Sequence, residues 1–239
     1  MTSCAISPNA LRLVLSGAEG PLQIVLGSTE VLHAEAIHCP GTSVTVLAPM
    51  VERILAAHSL RATDLAGIAV VRGPGSFTGL RICLASAAGL GFGAKIPMAG
   101  LELHSLLAAQ APHVPTLWVA TAARSGAVYA QSFSHGQPCG PIHVLSHEEL
   151  RGRVAEPPSH VLGSGVRGLD LPSGTTLLPD LYDTPWPATL LAAARNASFS
   201  FTPPSPLYLR RSDAEENLPA IAARRGIPEA EARKHIPSF

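Results

Sequence analysis

Gly73-Pro74-Gly75-Ser76-Phe77-Thr78-Gly79-Leu80-Arg81 lies between two apolar runs of different character. Before it, Ile68-Ala69-Val70-Val71 reads as a buried strand. After it, Leu80 to Leu90 is rich in Ala and Leu and reads as a helix. The three glycines supply positive φ or close backbone approach, Pro74 stiffens the turn, and Ser76 or Thr78 can cap the helix. Strand, glycine loop and helix N-terminus together offer free N–H groups that suit an anion. The competing reading is a tight strand-to-helix turn that binds nothing. The spacing G-x-G-x-x-x-G departs from the dinucleotide fingerprint G-x-G-x-x-G. No Lys-Ser or Lys-Thr follows Gly79, so this is not a Walker A loop either.

The chain of 239 residues has room for one large domain or two small ones with an ample core. Seventeen Lys and Arg balance seventeen Asp and Glu, which argues against a broad electrostatic footprint for nucleic acid. Arg210, Arg211, Arg224 and Arg225 are the only basic clusters, and direct contact with nucleic acid is not expected. Twenty-two prolines and a charged fraction of 14% describe an apolar, loop-rich chain, compatible with burying a face on another protein. Cys4, Cys39, Cys83 and Cys139 are scattered and never spaced C-x-x-C, and no signal peptide is recognisable. Reduced thiols in the cytoplasm are therefore expected. No stretch approaches 18 uninterrupted apolar residues, so no membrane span is expected.

Along the chain, Leu11 to Leu15, Leu22 to Leu26 and Val31 to Ile37 read as three strands joined by short turns, an antiparallel meander. Thr42 or Ser43 caps a helix to about His58, with Leu47, Met50, Val51, Ile54 and Leu55 on one side. Pro49 either disturbs its first turn or delays its start. Beyond Pro97, Leu101 to Ala109 reads as a helix. Thr116 to Ala120 and Ala127 to Ala130 read as a strand pair, and Ile142 to Leu145 as another strand. Ser146 with Glu149 forms a capping box, and a turn follows at Gly163-Ser164-Gly165. Shorter helices are expected at Ala188 to Ala194 and near Asp213 to Arg225. No internal sequence repeat is present.

The uninterrupted run at 73–81, followed by a small-residue helix, resembles the signature of the TsaB (YeaZ) family. Members of that family belong to the bacterial machinery that makes N6-threonylcarbamoyladenosine at position 37 of tRNA. Ala123-Arg124-Ser125-Gly126-Ala127-Val128-Tyr129 is similar to the family's A-R-x-x-E-V-Y hairpin, and Pro206-Leu207-Tyr208-Leu209-Arg210 to its P-x-Y-L-R. The resemblance covers about residues 11 to 215. It implies a two-lobed α/β fold of the actin-like (ASKHA, ribonuclease-H-like) class, which the order of elements alone does not single out. The lobes would be 1–98 and 99–200, with a C-terminal segment 201–239 packing back on them.

The resemblance also implies a role: a non-catalytic subunit pairing with the catalytic subunit TsaD, and with a TsaE-type ATPase in a larger complex. The first two long helices, about 43–58 and 77–91, would carry the contact, with Val46, Met50, Arg53 and Arg81 as exposed candidates. Ala85, Ser86, Ala87, Ala88 and Gly89 leave room for a second helix to approach. The chain departs from the pattern where members carry Asp-Thr-Ser at the end of the first strand. Leu15-Ser16-Gly17 stands there, and Leu15 cannot coordinate a hard cation. Ser43-Val44 replaces the usual His-Ser, and Ala122 and Ala127 replace an Asp and a Glu. No catalytic residue, metal or cofactor is expected of this chain itself.

Other constellations carry less. His143 and His147 have the i, i+4 spacing of a helical metal pair, but the cap at Ser146 leaves His143 on a strand. His33 and His38 fall on opposite faces of a strand, and Glu102 and His104 on different sides of a helix. Arg81 can bind phosphate or a partner carboxylate, or close the loop through an internal salt bridge. The rival function is an autonomous actin-like phosphotransferase using Gly73 to Gly79, with an acidic metal ligand from Glu19, Asp64 or Glu102. A metallopeptidase lacks its histidine pair, and a homodimer is the remaining alternative.

Overall fold

The structure, a computed structural model, describes residues 4, 6–39, 41–124, 126–156, 159–209, 222, 223 and 228. The meander forms as the turn signals dictate. β1 (Arg12–Ser16) pairs antiparallel with β2 (Leu22–Gly27), with Leu13 opposite Leu26, and β2 pairs antiparallel with β3 (Val31–Ile37). β4 (Gly67–Val71) then lies parallel to β1, and β5 (Met98–Leu101) parallel to β4, giving the order β3-β2-β1-β4-β5. This is the ribonuclease-H-like sheet. β1, β2 and β4 are buried along their whole length, as apolar strands covered on both faces must be, while β3 is a partly exposed edge.

α1 (Ser43–Ala57) and α2 (Phe77–Ala94) pack side by side on this sheet, and α5 (Pro187–Asn196) packs against β1, β2 and β3 from the opposite side. α1 runs straight through Pro49, which sits on the exposed side, as does Thr45, whose carbonyl the ring leaves free. α2 extends past Leu90, because Gly91 gives way to Met98 of β5: a Cβ there would lie 2.6 Å from the Met98 sulfur. The helix ends at Lys95, in the left-handed region at φ 57°, whose N–H returns to the Gly91 carbonyl.

The segment expected as a helix from Leu101 divides instead. Met98–Leu101 is β5, and α3 is Leu103–Gln110. A boundary at 98/99 therefore cuts a strand of the first sheet, and the second sheet begins with β6 (Thr116–Ala122). β7 (Ala127–Ser134) pairs antiparallel with β6, and its other edge carries β8 (Gln137–Pro138) and β9 (His143–Ser146). α4 (His147–Val154) leads to β10 (Ser159–Leu162), parallel to β6, and β11 (Thr175–Leu177) is parallel to β10. The order β9-β7-β6-β10-β11 repeats that of the first sheet, strand for strand and direction for direction. The sequence shows no trace of this duplication. Together the two sheets make the two-lobed actin-like fold.

β6 ties the halves together through its period of two. Leu117 and Val119 join the large core that contains the first sheet, whereas Trp118 and Ala120 face the smaller core under α4. Met1–Leu207 forms one compact unit and Tyr208–Phe239 another. Arg210, Arg211, Arg224 and Arg225, and the helix expected near Asp213 apart from Ala222 and Ala223, lie outside the described residues.

Candidate functional site

The glycine loop is docked on the β1–β2 turn, backbone against backbone. Gly75 (φ 152°) lies so near that turn that a Cβ would stand 2.1 Å from the Ala18 carbonyl oxygen, and one on Gly79 would stand 1.9 Å from that of Gly17. Ser76 N–H donates to Ala18 O at 2.7 Å, and Gly73 O accepts from Leu103 N at 2.8 Å. Ser76, rather than Thr78, is the N-cap of α2; its hydroxyl accepts from Gly79 N at 3.3 Å. Of the N–H groups that would meet an anion, those of Ser76 and Gly79 are thus already bonded within the chain. Phe77 opens the helix, and the Arg81 guanidinium lies 3.6 Å from the centre of its ring.

Leu15, where the family pattern has a carboxylate, is fully buried in β1. The nearby acid, Glu19, sits half-buried in the β1–β2 turn. Burial first, and then the charge of Asp183, hold its carboxyl above the ordinary range against the hydrogen bond from Ser164. Asp183 accepts from Gly163 N at 2.8 Å and is held by Arg167 through two bonds of 2.6 Å. The other two acids considered as metal ligands are occupied elsewhere. Asp64 accepts from Arg61 N at 2.7 Å, and Glu102 pairs with Arg72 at 2.5 Å. Among the described residues no group of three or more His, Cys, Asp and Glu side chains is placed to hold a metal.

His104 is fully buried, its Nε2 3.0 Å from Thr121 Oγ1 and its Nδ1 without a partner; burial pushes it down to about 3. Burial likewise raises the Cys83 thiol to about 12, so it is an inert core group. His143 lies exposed on β9 while His147 opens α4, so the helical pair does not form.

The second candidate surface is the face of α1 and α2. A groove of about 510 Å³ runs between them, floored by Leu47, Val51 and Leu55 and walled by Ser86, Gly89 and Leu90. It is rimmed on α1 by exposed Ala48, Glu52 and Ala56, residues in helical register that the sequence reading passed over. Space around Gly89 and Gly93 is open, and Phe92 is 63% exposed beside them. The four expected contact residues are not brought together. Met50 is a correction: it faces the sheet and is only 7% exposed, as its place in the apolar stripe requires. Val46 is half-buried against the same core. Arg53 turns to the other flank of α1, onto Glu35 of β3, and Arg81 lies on the exposed stripe of α2.

A protein-family model described as TsaD, tRNA N6-adenosine threonylcarbamoyltransferase, matches residues 42–138. The tRNA threonylcarbamoyladenosine biosynthesis protein TsaB of Escherichia coli is 28% identical over 228 residues, covering 87% of this chain and 97% of that one. An uncharacterized protein of Mycobacterium tuberculosis is 34% identical over 197 residues, covering 80% of this chain and 83% of its own. Among solved structures, a Pseudomonas aeruginosa protein described as similar to peptidase YeaZ superimposes with a TM-score of 0.66 at 26% identity. That match covers 84% of this chain and 100% of that one. Sequence and structure thus agree over nearly the full length of their counterparts, and on that ground the chain belongs to the TsaB (YeaZ) family.

Proposed function

We propose that this chain is a non-catalytic subunit in N6-threonylcarbamoyladenosine formation at tRNA position 37, acting in the cytoplasm by binding a TsaD-type catalytic subunit. The observation that carries the reading is the groove between α1 and α2, apolar at its floor and bordered by the small side chains of Ala48 and Ala56 on one helix and of Ser86 and Gly89 on the other. Small side chains at those four positions let a partner helix approach closely, while Glu52 on the same rim offers it a charge. Leu15 supports the non-catalytic part: an apolar side chain stands where a hard cation would need oxygen. The glycine loop then serves α2, fixing its first turn against the β1–β2 hairpin rather than holding a phosphate.

The test is co-elution with the TsaD-type protein of the same organism, with light scattering, alongside reconstituted threonylcarbamoylation. A one-to-one complex is expected. Gly89→Arg, which projects into open space on the free chain, should weaken it at least about 30-fold. Separate peaks for two folded proteins, or a complex indifferent to Gly89→Arg, would overturn the reading. So would full modification activity with this chain omitted.

A further inference from the structure

Edge strand β3 and the end of α1 bring together two histidines 25 positions apart in sequence. His33 Nε2 lies 3.0 Å from Glu35 Oε1, and His33 Nδ1 faces His58 Nε2 at 3.3 Å, the rings standing at 82°. Both terminal nitrogens of Arg53 grip the Glu35 carboxylate. A carboxylate held by a guanidinium on both oxygens can only accept from the imidazole beside it. His33 must therefore keep its proton on Nε2, and its Nδ1 presents a lone pair. All three side chains are partly open to solvent.

We propose that His33 Nδ1 and His58 Nε2 form an open two-histidine site for a divalent transition-metal ion of the zinc class, with water completing the coordination. Two nitrogens 3.3 Å apart, each ~2.05 Å from one zinc ion, subtend about 105°, close to the tetrahedral angle. Glu35 supplies the outer-shell carboxylate that commonly orients a metal-bound imidazole and raises its basicity. The charge balance permits a dication, since Arg53 is neutralised by Glu35. In the empty site His58 donates its Nε2 proton to His33. On binding, His58 carries that proton on Nδ1 instead and turns its ring to share the ion, so no proton is released. The site lies on the flank of α1 away from the groove, and does not depend on the partner reading.

The experiment is calorimetric titration of the tag-free full chain with Zn²⁺, together with correlation spectra of the imidazole nitrogens. One equivalent should bind, shifting His33 Nδ1 and His58 Nε2. His33→Gln and His58→Gln should each lower the affinity by more than about tenfold. Glu35→Gln should lower it about tenfold while the same two nitrogens still shift. His143→Gln and His147→Gln should leave the titration unchanged. The assignment is overturned if no zinc binds, if only other histidines shift, or if the His33 and His58 variants bind as the parent does. Should those variants fail to fold, the imidazole shifts of the parent chain decide.

Discussion

Two sheets with the same strand order make this molecule, and they differ most in the segment that leaves the fourth strand. After β4 the glycine loop launches the 18-residue helix α2; after β10, Gly163-Ser164-Gly165 begins a 3-10 turn three residues long. The close approach is shared. A Cβ on Gly75 would strike Ala18 O at 2.1 Å, and one on Gly163 (φ 116°) would strike Ala120 O at 2.2 Å. The continuation differs because Gly168 turns the chain into the left-handed region (φ 78°) and Pro172 follows, whereas α2 tolerates its four glycines among Ala, Leu and other helix formers and contains no Pro. One half thereby presents a long exposed helical face. The other turns its short loop inward, where Ser164 meets Glu19 and Gly163 binds Asp183. The same strand order thus carries a long exposed helix in one half and a short loop closed inward in the other.

The largest test of that division is at the seam, where His104 of α3 meets Thr121 of β6. The folded ring sits at about 3 against 6.5 in the open chain. As pH falls from 6.5 towards 3, the unfolded chain takes up a proton that the folded chain refuses. The stabilisation is complete above 6.5 and is lost on acidification, by up to about 5 kcal/mol. His104→Leu should abolish that component. The gap between parent and variant in urea unfolding should therefore change between about pH 7 and pH 4, and a constant gap would refute it.

Next come the two loops themselves. Gly79→Ala and Gly163→Ala each force a Cβ onto a backbone oxygen and should each cost about 3 kcal/mol in denaturant midpoint analysis. Equal losses sharpen the equivalence of the halves; a loss at only one of them breaks it. Gly89→Ala, with nothing nearby, should instead stabilise by up to about 1 kcal/mol.

The smallest contrast is between the helix caps. Ser146 shares a full capping box with Glu149, at 3.1 and 2.7 Å, while Ser76 makes a single bond of 3.3 Å. Ser146→Ala should cost about 1 kcal/mol and Ser76→Ala less, read as shifts in thermal midpoint. A larger loss at Ser76 would reverse the ranking.

Local chemistry made much of this legible in the sequence. Apolar runs broken by Gly, Pro and Ser marked the meander, and the Ser146–Glu149 spacing marked α4. Ser76 was one of two caps the loop offered, beside Thr78, and it is the one used. Non-local contacts were not legible. Leu101 reads as the start of a helix and Met98 to Gly100 carry no strand signal of their own, yet the four become β5 because β4 offers them a parallel edge. Arg53 is exposed as expected, but its pairing with Glu35 of β3 was not legible. His33 was weighed against His38, five residues away, while its true neighbour, His58, came from another element. Met50 was both a member of the apolar stripe and a proposed contact; burial on the sheet decides for the first.

The contact between Gly17, Gly79, Ala18 and Gly75 has a consequence for how such chains are recognised. Main-chain atoms meeting main-chain atoms leave no side chain to be exchanged for another, so substitution there is punished by crowding before any chemistry is consulted. Leu15, a few residues away, is under no such restraint. A motif of this kind is kept by the shape of a docked hairpin, whatever the chain around it binds.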